Sequence, residues 1–241
     1  MKPKRIGFLG YEGIVALDLV GPMDAFSSVT YKTGSVPDAY ELVVIGLNDR
    51  EFHTKSGLAI RPHVSLEKAG PLDTLVIPGG PGSRSPEICE AVSPWLKAMA
   101  PRTRRVASVC TGIYLLAPTG LLDGRRVTTH WEHAADVARR FPALKVDPDA
   151  IFLKSDRFYT SAGITAGIDL ALALIEEDFG VEVALGVARA LLLFPSGGMR
   201  RTQTTNVFCH RPHETVAVHT CSRTLLASLV DRHSAETAIR R

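Results

Sequence analysis

Cys110 is the residue of this 241-residue chain whose position offers the clearest chemistry. The segment RRVASVCTGIYLLA predicts a buried strand, a sharp turn and a helix, with Cys110 at the turn. A thiol at that place faces unpaired backbone N–H groups and the positive end of a helix dipole, which favour the thiolate. We therefore expect Cys110 to act as a nucleophile. The alternative is a structural cysteine, because free cysteine often packs as a small apolar residue.

A nucleophile needs an acid or base and donors for developing negative charge. Asp18, in the apolar segment LDLVGP, is the candidate acid, although Asp at such a place is commonly a helix N-cap. Gly79 and Gly80 end the run LDTLVIPGG and permit close backbone approach, so their N–H groups could face a substrate atom. Thr111 adds an N–H and a hydroxyl suited to a polar group of the substrate.

His130 follows the short segment RRVTT and could orient or protonate a group near the thiol, unless it only supports the structure. His130 and His133 have no third ligand at a suitable spacing, so we expect no metal there. The glycines of GFLGYEG lack the dinucleotide-binding spacing, and no cofactor is predicted. The histidines and cysteines near the end also depart from recurrent zinc spacings; they are Cys209, His210, His213, His219 and Cys221.

Short apolar runs alternate with helical patterns along most of the chain. The strand candidates include KRIGFLG, YELVVIGL, LDTLVIP and RRVTTH, the run before Cys110, and short strands near residues 151–153 and 157–160, with a small hairpin within residues 50–65. The helix candidates are LDLVGPMDAFSSV, interrupted or started by Gly21-Pro22, and WEHAADVARRF, with others near residues 86–99, after Cys110, and over 164–179 and 181–194. This alternation predicts an α/β fold with a mainly parallel sheet and helices on both faces.

Ligands bind such sheets beyond the carboxyl ends of the strands. Three of the candidate loops follow predicted strands, at Gly79-Gly80, at Cys110 and at His130. We therefore expect these three loops to converge on one edge of the sheet.

Composition sets the broad class of the protein. With 45% hydrophobic residues the chain can bury a substantial core, and no apolar run reaches the length of a membrane helix. Four cysteines are too few for a disulfide framework, and no leader pattern opens the sequence, so we expect a cytoplasmic protein.

The net charge of +3 is unevenly distributed along the chain. Residues 195–241 contain seven arginines and three acids, and their pattern has little periodicity. We expect residues 1–194 to form one domain and residues 195–241 a basic, loosely ordered appendage. The body shows no charge signature of nucleic-acid binding.

Five segments, in order, resemble the ThiJ/PfpI superfamily of class I glutamine amidotransferase-like folds over residues 4–194: LDLVGPMDAF, VIPGGPG, VASVCTG, TGLLDGRRVTTHW and TSAGITAGIDLALALIEEDFG. The resemblance implies a flavodoxin-like sandwich, usually dimeric, with a strained cysteine elbow beside an acid. It raises Asp18 from an N-cap to an expected active-site group. Two branches are similar: the isonitrile hydratases, whose cysteine, threonine and acid match Cys110, Thr111 and Asp18, and the sensor domain of AraC-type transcription regulators.

Two functions therefore remain open. The first is an isonitrile hydratase-like enzyme, in which Cys110 adds to a small electrophile with Asp18 as proton donor or acceptor. The second is a ligand-sensing domain without a complete helix-turn-helix module, because only 47 residues follow Phe194. We favour the enzyme, acting on a small molecule as a homodimer without nucleic acid. Glyoxalase-like or repair chemistry is weaker, and peptidase chemistry is disfavoured because Thr111 stands where such family members carry a histidine.

Overall fold

The structure is a computed structural model that describes residues 2–29 and 39–191. A seven-stranded sheet with the order β10-β11-β7-β6-β1-β2-β5 forms its centre, and every pairing in it is parallel except that of β10 with β11. The predicted flavodoxin-like α/β fold with a mainly parallel sheet is confirmed. The strands are β1 Lys4–Gly10, β2 Tyr40–Gly46, β3 Phe52–His53, β4 Ala59–Ile60, β5 Val64–Ser65, β6 Thr74–Ile77, β7 Arg105–Val109, β8 Arg126–Val127, β9 Lys145–Val146, β10 Phe152–Ser155 and β11 Phe158–Ser161.

Helices surround this sheet. The α-helices of the described residues are α1 Ala16–Ser27, α2 Pro86–Met99, α3 Ile113–Leu116, α4 Trp131–Arg140, α5 Thr165–Phe179 and α6 Val181–Ala190. Short 3-10 turns cover Leu66–Lys68, Pro81–Arg84, Ala100–Arg102, Cys110–Gly112 and Ala117–Thr119. None of the helices within residues 2–29 and 39–191 is long and apolar enough to cross a bilayer.

The central strands are buried on both faces, as expected for a parallel sheet between helices. Every residue of β6 and β7 is buried. Helix α1 packs on α5 through a small residue, since a Cβ on Gly21 would lie only 3.0 Å from Cγ1 of Ile168. This close packing carries the first turn of α1 to the carboxyl ends of the central strands.

Several sequence predictions differ from the structure. The segment LDLVGPMDAFSSV is not interrupted at Gly21-Pro22, because α1 runs through both residues. The helix expected after Cys110 is only one α-helical turn between two 3-10 turns. The strand expected before His130 forms, but it pairs with β9 in a separate two-stranded sheet. It stays next to the main sheet because the Thr128 N–H donates to Oγ1 of Thr160 at 2.8 Å.

The predicted hairpin within residues 50–65 is confirmed by the antiparallel pairing of β3 with β4. The predicted appendage, with its cluster of Cys209, His210, His213, His219 and Cys221, lies outside the described residues, so that boundary stays a prediction.

A buried ion-pair cluster joins the amino end of β7 to the carboxyl end of α5. The side chains of Arg105 and Asp178 are 3% and 2% exposed and lie 2.6 Å apart. Arg105 also donates to the carbonyl of Leu174 at 3.0 Å, and the Tyr40 hydroxyl donates to Asp178 at 2.8 Å. These hydrogen bonds offset the desolvation of both charges.

We expect Asp178→Ala to destabilise the protein by about 3–5 kcal/mol, because it leaves the Arg105 charge buried without its main partner. Urea unfolding followed by circular dichroism would measure the change. Asp49→Ala is the matched control, because Asp49 pairs with Lys68 at 2.8 Å with both side chains about two-thirds exposed. The control should unfold like the wild type, and equal losses in the two variants would contradict this account of the cluster.

Candidate active site

Cys110 lies at a strained turn between β7 and the following 3-10 turn. Its φ is +57°, a value that residues with a Cβ rarely adopt, and the residue is 5% exposed. The turn is possible because glycines line it: a Cβ on Gly79 would lie 2.8 Å from Cβ of Cys110, and a Cβ on Gly163 would lie 2.2 Å from the same atom. The elbow expected from the sequence is therefore present, and its neighbours have no room for side chains.

Asp18 provides the carboxyl group next to this thiol. It is the third residue of α1, whose N-cap is Val15, so the N-cap interpretation is wrong. Its side chain is fully buried and accepts two backbone hydrogen bonds, from Gly79 at 3.1 Å and from Ile164 at 2.8 Å. These bonds connect α1 to two separate loops and fix the carboxyl group where its charge raises the pKa of Cys110.

The protonation of this pair differs from the expectation for a helix terminus. Burial, followed by the negative charge of Asp18, raises the pKa of Cys110 to about 12, although the N–H and hydroxyl of Thr111 act in the opposite direction. Burial also raises the pKa of Asp18 against its two backbone hydrogen bonds. The expectation of a thiolate is therefore wrong, because burial and Asp18 hold the pKa of Cys110 well above neutral pH. The desolvation of the sulfur outweighs the few donors of a single 3-10 turn.

Gly79, Gly80 and Thr111 are brought together as predicted, but their polar groups already have protein partners. The Gly79 N–H donates a hydrogen bond to Asp18, and the Gly80 N–H donates one to Oγ1 of Thr111 at 2.7 Å. The Thr111 hydroxyl is also 3.3 Å from the Gly80 carbonyl oxygen. These bonds join the loop after β6 to the elbow, and direct substrate binding by these groups stays a prediction.

His130 lies at the rim of the site. It is the N-cap of α4, where its Nδ1 accepts from the Glu132 N–H at 3.4 Å, and its ring stacks on Trp131. Its electrostatic effect on Asp18 lowers the pKa of that carboxyl, against the larger effect of burial. Its contacts are structural, so a role in orienting or protonating substrate stays a prediction.

Sequence reasoning missed two groups that hold the site. Thr129 is fully buried, and its hydroxyl donates to the carbonyl oxygen of Cys110 at 2.8 Å. Ile164 has φ +55° and ψ −117°, a backbone conformation that is strained for a β-branched residue. Its N–H donates a hydrogen bond to Asp18. The signal available was the glycine of TSAGITAG just before Ile164, since glycine often marks a close backbone approach.

Comparison with known proteins is decisive for the family. The model of the DJ-1/PfpI family matches residues 4–177. The chain belongs to this family. Within it, the chain is similar to the isonitrile hydratase of Pseudomonas putida, with 33% identity over 180 residues that cover 75% of this chain and 74% of that protein.

The DJ-1/PfpI chain is also similar to longer proteins. It is 30% identical to the HTH-type transcriptional regulator GbdR of Pseudomonas aeruginosa over 190 residues, which are 79% of this chain and 51% of the regulator. Among solved structures, an AraC family transcriptional regulator from Pseudomonas putida superposes with a TM-score of 0.69 at 22% identity, covering 78% of this chain and all of that one. A ThiJ/PfpI family protein from Pseudomonas syringae has the same TM-score at 23% identity, covering 98% and 90%. These two structures support the fold.

We expect Gly163→Ala to destabilise the DJ-1/PfpI domain by about 3 kcal/mol or more, because it adds both a steric clash and backbone strain. The new Cβ would lie 2.2 Å from Cβ of Cys110, at a φ of +96°. Urea unfolding at pH 7 would measure the loss.

Gly57→Ala separates these two causes. Gly57 has φ +85°, but a Cβ there would meet nothing within 4 Å. This control should lose only about 1–2 kcal/mol from backbone strain. A Gly163→Ala loss no larger than that would show that the elbow has more room than the structure gives it.

Proposed function

We propose that this protein is a cysteine-dependent enzyme that hydrates a small electrophile, in the manner of an isonitrile hydratase. The observation that carries the proposal is the fixed Asp18 carboxyl group beside the strained Cys110 thiol. The similarity to the isonitrile hydratase of Pseudomonas putida extends over three-quarters of this chain and supports the proposal. A nucleophile with an adjacent proton carrier is the minimum requirement for this chemistry.

The raised pKa of Cys110 determines how the first step proceeds. Because the thiol is protonated at neutral pH, Asp18 accepts its proton as the sulfur attacks the terminal carbon of the isonitrile. Asp18 then delivers that proton to the same carbon. A carbon–sulfur bond and a carbon–hydrogen bond form, the carbon–nitrogen triple bond becomes a double bond, and the product is a thioimidate on Cys110.

Water completes the reaction. It adds across the carbon–nitrogen double bond of the thioimidate, its oxygen bonding to carbon and one proton reaching nitrogen. Asp18 returns the second proton to sulfur as the carbon–sulfur bond breaks. An N-substituted formamide leaves, the thiol is restored, and the net reaction is the addition of one water molecule. Thr111, Gly79 and Gly80 would hold the polar atoms of the substrate, with His130 at the rim.

A ligand sensor is the second candidate function. It is favoured by the 30% identity to the regulator GbdR over 79% of this chain. A thiol whose pKa is raised to about 12 also suits a binding pocket in which Cys110 does not react. In that case Asp18 and Cys110 would bind an effector through hydrogen bonds.

We expect Cys110→Ala to remove isonitrile turnover, measured as formamide release from a series of alkyl isonitriles. The matched control is Cys89→Ala, because Cys89 is a partly buried thiol on α2 whose sulfur donates to the Ser83 carbonyl at 3.4 Å. Asp18→Asn should lower kcat about 100-fold or more through loss of the proton carrier. Full turnover in Cys110→Ala would contradict the enzyme, and an isonitrile-independent shift of a promoter fragment by the wild-type chain would favour the sensor.

The same Asp18→Asn variant should raise the reactivity of the thiol while it lowers turnover. The negative charge of Asp18 raises the pKa of Cys110, so its removal lowers that pKa and increases the thiolate fraction at pH 8. Alkylation of Cys110 by iodoacetamide, followed by peptide mass spectrometry, should become severalfold faster. A slower alkylation in Asp18→Asn would contradict the assigned electrostatic coupling.

Thr129→Val tests whether the elbow must be held in place. It removes the hydroxyl that donates to the Cys110 carbonyl at 2.8 Å, and we expect kcat to fall about tenfold. Thr128→Val is the control, because Thr128 is equally buried and its hydroxyl donates to the Ala150 carbonyl at 2.9 Å. Both variants should lose about 1–3 kcal/mol of stability. A similar fall of kcat in both would show that Thr129 acts only through stability.

A further inference from the structure

Arg84 and His133 contact each other, and both lie close in sequence to groups that hold the cysteine elbow. Arg84 ends the 3-10 turn that follows Gly79-Gly80, and His133 lies in the first turn of α4. Nη1 of Arg84 is 3.0 Å from Nε2 and 3.2 Å from Nδ1 of His133. The contact joins the 3-10 turn after Gly79-Gly80 to the first turn of α4.

Both loops are attached to the cysteine elbow at their other ends. One is held where the Gly80 N–H donates to Thr111, and the other where the Thr129 hydroxyl donates to the Cys110 carbonyl. The His133 ring also packs edge-on against Tyr114, four residues after Cys110, with ring centroids 6.2 Å apart. The Arg84 guanidinium therefore stands at the same end of the sheet as the thiol.

The charge of Arg84 is not neutralised by its surroundings. Over residues 2–29 and 39–191, no carboxylate forms an ion pair with it. The acids of α4 have other partners, since Glu132 is 3.9 Å from His130 and Asp136 bonds Tyr114 and Arg139.

His133 does not compete for an anion. Burial, then the charges of Arg84 and His130, lower its pKa, so at neutral pH it is an uncharged acceptor for Arg84. Because a guanidinium has five N–H donors and Nη1 makes this contact, donors on Nε and Nη2 remain for a ligand. Arginine with free paired donors is the side chain best suited to a carboxylate.

We propose that Arg84, oriented by His133, attracts the carboxylate of a small substrate, so that the site favours small electrophiles with an acidic group. Trp131 is 71% exposed and stacks on His130, where it offers an apolar surface to the substrate. The proposal rests on the part of the proposed function in which the Cys110 sulfur is the reacting atom. It does not depend on the hydration step.

Paired alkylating reagents test this proposal without any turnover. Iodoacetate and iodoacetamide have nearly the same size and differ in the carboxylate, and peptide mass spectrometry follows Cys110 alone. The measured quantity is the ratio of the two alkylation rates at low salt. We expect that ratio to fall about three- to tenfold in Arg84→Gln, and the difference to shrink at 0.5 M NaCl, because a single exposed charge acts over a screened distance.

Two further variants complete the comparison. Arg84→Lys keeps the charge without the paired donors and should fall between wild type and Arg84→Gln. Arg102→Gln removes an exposed charge of the 3-10 turn just before β7, at the opposite end of the sheet, and should leave the ratio unchanged. An unchanged ratio in Arg84→Gln, an equal fall in Arg102→Gln, or no alkylation of wild-type Cys110 by either reagent would overturn the proposal.

Turnover distinguishes this proposal from the proposed function. With isocyanoacetate and its methyl ester as substrates, Arg84→Gln should lower kcat/KM for the acid about three- to tenfold and leave that for the ester unchanged. If neither compound is hydrated but the alkylation ratio still depends on Arg84, the proposed hydration fails while the carboxylate subsite stands.

Discussion

The buried carboxyl group of Asp18 is the constraint on which the site depends. A carboxyl with no exposed surface must have its oxygens satisfied, and here the satisfying donors are the backbone N–H groups of Gly79 and Ile164. Those two residues belong to loops that are far apart in sequence. The need to satisfy one acid therefore fixes α1 and two loops around Cys110, and Gly79 and Gly163 permit the close approach.

The same burial controls the reactivity of the thiol. Burial raises the pKa of both the carboxyl group and the thiol, and the charge of Asp18 raises that of Cys110 further, whereas Cys110 lowers the pKa of Asp18. Such a pair is poorly suited to a free thiolate that reacts with any electrophile. It is suited to a reaction in which the proton moves while the carbon–sulfur bond forms. In the proposed reaction, selectivity for substrate would arise from the need to place the accepting carbon beside both groups.

The rest of the fold supports this arrangement from a distance. The packing of α1 on α5 brings Asp18 towards the turn after β7 that carries Cys110, and Ile164 leads directly into α5. At the other end of the sheet, Arg105 and Asp178 join β7 to the last turn of α5. Strand β7, which leads into Cys110, is thus fixed at both ends. The same is true of α5, which follows Ile164. A strained elbow persists only where the surrounding structure determines its position in this way.

The amino-acid sequence by itself determined the α/β class, most element positions and the elbow at Cys110. These follow from local patterns, because apolar periodicity reports which face of each element is buried, and Thr-Gly after the cysteine permits a sharp turn. It also placed Gly79, Gly80 and Thr111 near the thiol, since parallel strands end on one edge. Only the tertiary structure decided that Asp18 is not a cap, that β8 leaves the main sheet, and that Thr129 and Ile164 hold the site. It also decided the protonation of Cys110. The physical reason is that desolvation and hydrogen-bond partners depend on residues distant in sequence, which no local pattern records.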